Sequence, residues 1–278
     1  MYDNRQQGSM VCPKCGKLIS KSSSECFFCG YKNPGGMGFA SIFQKLFRSR
    51  YDIIQLIMIF CGIIYVFSLL LDIRAVFNVS DPFRLFSPSN ISVFKLGATG
   101  TIALYYHRWW SVVTAVFLHG SLLHIILNMF WVRQLGYAVE EFYGPARFII
   151  IFILSGIVGF IASIIGGHQL TLGASGSLFG LLGALIYYGK QRGGYFGEAI
   201  YRQAGLYAVM FFVFGFMMSG VDNFAHGGGF IGGFLVAMLV GFSEHRREAL
   251  WHKLLAILLV IGTLMAFLVN IITMGQIR

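Results

Sequence analysis

A chain of 278 residues that is 56% hydrophobic and only 12% charged holds long uncharged runs that a soluble core does not need, so a soluble globule is excluded and a polytopic membrane protein is expected. Its formal net charge of +10 could suit nucleic acid, but the cations are sorted along the chain in the manner of membrane topology, and no nucleic-acid partner is expected.

Residues 1–32 hold Cys12-Pro13-Lys14-Cys15 and, ten residues on, Cys26-Phe27-Phe28-Cys29. Each CxxC offers two thiolates to one ion, and the two knuckles together complete a tetrahedral zinc site. With four protein ligands the zinc would be structural, holding together a zinc-ribbon module too small to fold on an apolar core alone. Two disulfides are the alternative, disfavoured because charge sorting puts this segment in a reducing cytoplasm. The module could recognise a cytoplasmic partner. Residues 33–51 read as a Gly-rich linker followed by an interfacial segment or a cytoplasmic extension of the first span, with Phe39, Ile42, Phe43, Leu46 and Phe47 at helical spacing among Lys45, Arg48 and Arg50.

Seven apolar segments follow: Ile53–Leu71, Val112–Val132, Phe148–Gly166, Ser175–Gly189, Gln203–Gly220, His226–Phe242 and Leu254–Met274. The polar, basic start lacks a cleavable signal pattern, so the first is expected to be a retained span. Between it and the second lies a loop of nearly 40 residues, roughly Asp72 to Arg108, followed by Trp109 and Trp110, which suit an interfacial belt. With the N-terminus cytoplasmic, only Arg74, Arg84, Lys95, Arg108 and Arg278 of the 21 Lys and Arg fall outside. That bias predicts N-in, C-out, with helices two, four and six entering from the outer face of a bacterial plasma membrane.

The chemistry is concentrated at three places. Gly173-Ala174-Ser175-Gly176 opens the fourth span, which regains charge at Lys190. About 15 helical residues cover roughly 22 Å against about 30 Å of hydrocarbon, so Ser175 should lie below the outer surface. Alone, such a serine is more readily an N-cap or a turn residue than a nucleophile. His226 opens the sixth span at the same depth and can take and return a serine proton. Gly176, Gly180 and Gly183 on one helix, with Gly229 and Gly233 on the other, form small-residue faces that let the two approach. The second span adds His119, His124 and Asn128. The last two are four residues apart on one face, expected near mid-span and turned into the bundle. They could cross-link helices, and without a clustered carboxylate a catalytic metal is not expected.

These motifs resemble the rhomboid intramembrane serine proteases. The family's GxSG is similar to Gly173-Ala174-Ser175-Gly176, its AHxxGxxxG to Ala225, His226, Gly229 and Gly233, and its HxxxN to His124 and Asn128. His119 fits the upstream histidine, and order and spacing agree over about residues 52 to 242. The resemblance implies an all-α, six-helix protease core at 52–242, with residues 243–278 forming a loop and a seventh transmembrane helix. It implies Ser175 as nucleophile, His226 as general base, and His124, Asn128 and the Ser175 N–H as oxyanion donors, with Phe179 packed on the catalytic histidine and no cofactor for catalysis. The substrates implied are transmembrane proteins in the bilayer, cleaved near the outer face through an acyl-enzyme. The alternative is a catalytically inactive rhomboid-like protein that binds transmembrane helices as chaperone or trafficking factor. Such proteins lack the serine or histidine that this chain keeps. Ser111 stands where the family usually has arginine, and Arg108 is the nearest cation that could replace it.

Overall fold

The computed structural model describes residues 9–12, 17–20, 23–30, 53–76, 85–218, 220–244 and 248–276. The backbone divides into two compact units, residues 1–52 and 53–278.

In the first unit β1 (Ser9–Val11) pairs antiparallel with β2 (Leu18–Ser20), Ser9 opposite Ser20 and Val11 opposite Leu18. The Cys12 N–H donates to the Lys17 carbonyl at 2.8 Å, and the Gly30 N–H closes a second turn onto the Cys26 carbonyl at 2.9 Å. Cys12, Ile19 and Cys26 form the buried centre, with Cys29 packed against it. Among the described residues so small a centre buries little apolar surface, and two of its three members are cysteines. Cys15 and the interfacial segment expected within 33–51 lie outside the described residues.

Among the described residues, the second unit is built on seven long helices: α1 (Ile53–Leu70), α2 (Leu122–Tyr143), α3 (Pro145–Ile165), α4 (Ser175–Arg192), α5 (Gly194–Met217), α6 (Asn223–Val240) and α7 (Leu250–Thr273). Their ends follow local chemistry. Ser121 caps α2 by accepting the His124 N–H, and Asp222 caps α6 by accepting that of Ala225, each supplying an acceptor for an otherwise unpaired donor. Gly144 ends α2, and Pro145, which lacks an N–H to leave unpaired, begins α3.

Six of these helices are long and apolar enough to cross a membrane. The exception is α4, whose serines, glycines and terminal Lys190, Gln191 and Arg192 dilute its apolar content. It faces protein instead: every residue from Gly176 to Leu185 is buried, with α6, α5, α3 and α2 packed around it. By contrast α5 buries little more than Gly197, Ala204, Ala208 and Gly215.

The second helix does not occupy the expected Val112–Val132. It begins at Leu122 and continues through Arg133, Gln134, Glu140 and Glu141 to Tyr143. The apolar run before it folds instead into a short helix, Ser111–Thr114, and a 3-10 turn, Ala115–Phe117, with Ala115, Val116 and Leu118 fully buried in the bundle. Hydropathy cannot distinguish burial in protein from burial in lipid. The long loop before α2 also contains helices at Asn90–Leu96 and Thr101–Tyr105. Arg108 is buried beneath it and donates to the carbonyls of Phe94 and, at 3.1 Å, Lys95. It therefore supplies loop contacts that Ser111 cannot make. The tryptophan pair divides: Trp109 is exposed, as an interfacial side chain would be, whereas the Trp110 indole N–H is bonded within the protein.

Candidate active site

Ser175 is the first residue of α4, and a glycine turn delivers it there. Gly173 has φ of +129°, a conformation that residues with a Cβ avoid. A Cβ at that position would lie 2.8 Å from His124 Cε1 and Nε2 and 3.8 Å from Ser175 Oγ. Gly173 thus leaves one small space bounded by the serine hydroxyl and the edge of the histidine. The Gly173 N–H is tied to the Ala115 carbonyl at 2.9 Å, which fixes the turn against the segment preceding α2.

His124 and Asn128 are not at mid-span as expected. With α2 starting at Leu122, they lie in its first two turns, at the Ser175 end of the bundle. The Gly120 backbone N–H donates to His124 Nδ1 at 3.3 Å. A backbone amide can only donate, so Nδ1 must be the bare nitrogen and the proton of the neutral ring sits on Nε2. That N–H faces the space beside Gly173. Asn128 donates from Nδ2 to the His124 carbonyl at 2.8 Å, while its Oδ1 is buried without a partner among the described residues. His119 is buried too, its ring centroid 5.2 Å from that of His124 and both its nitrogens unpartnered among the described residues.

His226 is the fourth residue of α6. Its ring stacks on Phe179 of α4 at 4.3 Å between centroids, with 19° between the planes, and its Nδ1 is buried without a partner among the described residues. No hydrogen bond joins Ser175 Oγ to the imidazole among the described residues. The two helices are brought together by their glycines. A Cβ on Gly229 would run into the Gly176 carbonyl group and one on Gly233 into the Gly180 backbone, so the helices touch backbone to backbone along this line. Gly176 itself faces the Ala225 carbonyl, where a Cβ would sit at 3.4 Å.

Sequence reasoning missed Asp222. Its carboxylate accepts from the Ser163 hydroxyl of α3, from the Thr171 hydroxyl at 2.7 Å and from the Ala225 N–H at 2.9 Å, and His168 Nε2 lies 3.5 Å away. It ties α3, the segment leading to Ser175 and the helix carrying His226 at one point. The signal was present, since an aspartate just before an apolar run is an N-cap pattern.

In the N-terminal unit the Cys12 and Cys29 sulfurs lie 3.7 Å apart. Those of Cys12, Cys26 and Cys29 all fall within 4.8 Å of one another. Tetrahedral Zn–S bonds of about 2.3 Å separate sulfurs by roughly 3.8 Å. The cluster therefore has the dimensions to hold a metal ion.

The middle of the chain is similar to known rhomboid proteins. The Rhomboid domain family model matches residues 106–243. The chain is 33% identical to Rhomboid protease GluP of Bacillus subtilis (strain 168) over 182 residues, which are 66% of this chain and 36% of that protein. It is 30% identical to RHOMBOID-like protein 1 of Arabidopsis thaliana over 161 residues, 56% of this chain and 41% of the relative. With Rhomboid-like protease 3 of Toxoplasma gondii the identity is 30% over 178 residues, 62% and 66% of the two chains. The chain thus spans between about a third and two thirds of the length of these relatives. A rhomboid domain whose match takes in His124, Asn128, Ser175 and His226, set among helices apolar enough to cross a bilayer, makes this chain an integral membrane protein of the rhomboid family.

Proposed function

We propose that the chain is an intramembrane serine endopeptidase acting through Ser175 and His226. The observation that carries this reading is the single space at the head of α4, where Ser175 Oγ and the protonated edge of His124 both border Gly173. In the reaction Ser175 Oγ attacks the scissile carbonyl as the His226 imidazole takes its proton. The oxyanion that forms is met by His124 Nε2–H, the Asn128 amide and the Ser175 N–H. The imidazolium returns the proton to the departing amine, leaving an acyl-serine. Water, deprotonated by the same ring, then releases the acid and restores the serine. Stacking on Phe179 holds the imidazole in place of an orienting carboxylate.

The substrates on this reading are transmembrane proteins, cleaved near the outer face where a helix can unwind and expose its peptide bonds. The N-terminus is cytoplasmic and the C-terminus outside, as the sorting of Lys and Arg requires. Zinc held by Cys12, Cys15, Cys26 and Cys29 supplies only a structural cross-link, leaving the ribbon free for a cytoplasmic partner.

Purified wild type, Ser175→Ala and His226→Ala, each in detergent with a model transmembrane substrate, test the proposal. Wild type alone should cleave, and a fluorophosphonate should label it and not Ser175→Ala. Cleavage persisting in both variants would overturn the assignment.

A further inference from the structure

Helix α7, which follows the helix carrying His226, reaches the segment preceding α2 through one residue. Asn270 is fully buried in a largely apolar stretch of α7, residues 264–272, and it lies outside the matched rhomboid domain, residues 106–243. Its amide uses its whole hydrogen-bonding capacity. Nδ2 donates to the Leu96 carbonyl at 2.9 Å and to Thr114 Oγ1 at 3.3 Å, and Oδ1 accepts from Arg108 Nη2 at 2.6 Å and from the Trp110 indole at 2.8 Å. Arg108 in turn binds the Phe94 and Lys95 carbonyls and lies 4.8 Å over the Phe94 ring. One side chain of α7 thus gathers both ends of the segment between residues 94 and 114.

That segment is stitched to the turn that carries the nucleophile. Thr99 and Thr171 exchange backbone hydrogen bonds at 3.0 and 2.7 Å, and Thr101 N–H donates to the His168 carbonyl at 2.9 Å. Ser111 Oγ donates to Thr99 Oγ1 at 2.8 Å, and Gly173 N–H bonds Ala115. Residues 168–173 therefore lie against 99–102 and Ala115, two residues short of Ser175.

We propose that Asn270 is a positioning residue. Through Arg108, Trp110 and Thr114 it braces the 94–115 segment, and the bridge from Thr99 to Thr171 passes that support to the turn that aims Ser175. The proposal rests on the protease reading for its catalytic consequence but not for the brace itself. Asn270→Leu removes all four bonds at similar volume, and Trp110→Phe removes one while keeping a ring, so it serves if the first variant does not fold. Thr263→Val on the same helix controls for helix damage, since among the described residues the Thr263 side chain bonds only the Leu259 carbonyl one turn earlier.

Two measurements on the detergent-solubilised full chain decide the matter. Amide exchange in residues 168–175 should quicken by roughly tenfold or more in Asn270→Leu, and by less in Trp110→Phe, with Thr263→Val like wild type. With a model substrate, kcat should fall by about tenfold in Asn270→Leu while KM changes by less than about twofold, because misaiming a nucleophile slows chemistry without weakening binding. Unchanged exchange in whichever variants fold overturns the brace. Faster exchange with unchanged kcat overturns the positioning role. If wild type cleaves nothing, the protease reading fails while exchange still upholds or overturns the brace.

Discussion

The contact between α4 and α6 can be tested by the smallest substitution available. In Gly229→Ala the new Cβ would collide with the Gly176 carbonyl oxygen and lie 2.7 Å from its carbon and 3.0 Å from Gly176 Cα. Backbone cannot rotate away as a side chain can, so restoring ordinary contact requires the helices to part by about 1 Å, at an overpacking cost of roughly 1–3 kcal/mol. Alanine also favours the helix over glycine by about 1 kcal/mol, which partly offsets that cost. Gly227→Ala isolates the difference: its Cβ would meet nothing nearer than Phe212 Cε2 at 3.9 Å, so it gains the propensity without the clash. The gap between the variants in unfolding free energy should therefore be roughly 1–3 kcal/mol. A shift of about 1 Å between Ser175 and His226 should also cut cleavage by roughly 100-fold in Gly229→Ala alone. Denaturant unfolding in detergent, followed by the fluorescence of the four tryptophans, gives the first number and cleavage of a model substrate the second. Equal stability and activity in both variants would refute the claim that backbone contact sets the dyad.

Other expectations concern separate parts of the molecule. His124→Ala and Asn128→Ala should each lower kcat by roughly 10² to 10³, read on the same substrate, without loss of cooperative unfolding. Asp222→Ala strips the cap from α6 and leaves the Ser163 and Thr171 hydroxyls unpartnered. It should destabilise by about 1–3 kcal/mol in the same denaturant assay. Metal analysis of the purified chain should find one zinc per molecule, lost in Cys12→Ser and Cys26→Ser but kept in Cys61→Ser, because Cys61 is buried within α1, in the other unit.

The start of α4 at Ser175 and the facing glycines were legible in the sequence because turn chemistry and small-residue spacing act locally. The second helix was misplaced by ten residues because Val112–Leu118 is apolar for a different reason: it packs inside the bundle before the helix begins. That error carried His124 and Asn128 to mid-span, although their four-residue spacing still put them on one face. What the sequence could not reveal was the company each polar residue keeps. Arg108 and Asn270 are 162 positions apart, and no local pattern joins them, although a lone asparagine in an apolar helix was itself a sign of an internal partner.

The composition of α4 has a consequence for how the protein is made. A segment that is less apolar than its six companions has a weak claim on the lipid when it emerges from the insertion machinery, because its serines, glycines and terminal cations are penalised there. Its neighbours α3 and α5 can bury it, but α5 is synthesised later. The nascent chain must therefore hold α4 beside α3 until the following helices arrive. On the protease reading proposed above, Ser175 enters the membrane as a passenger, and its meeting with His226 waits until α6 closes over it.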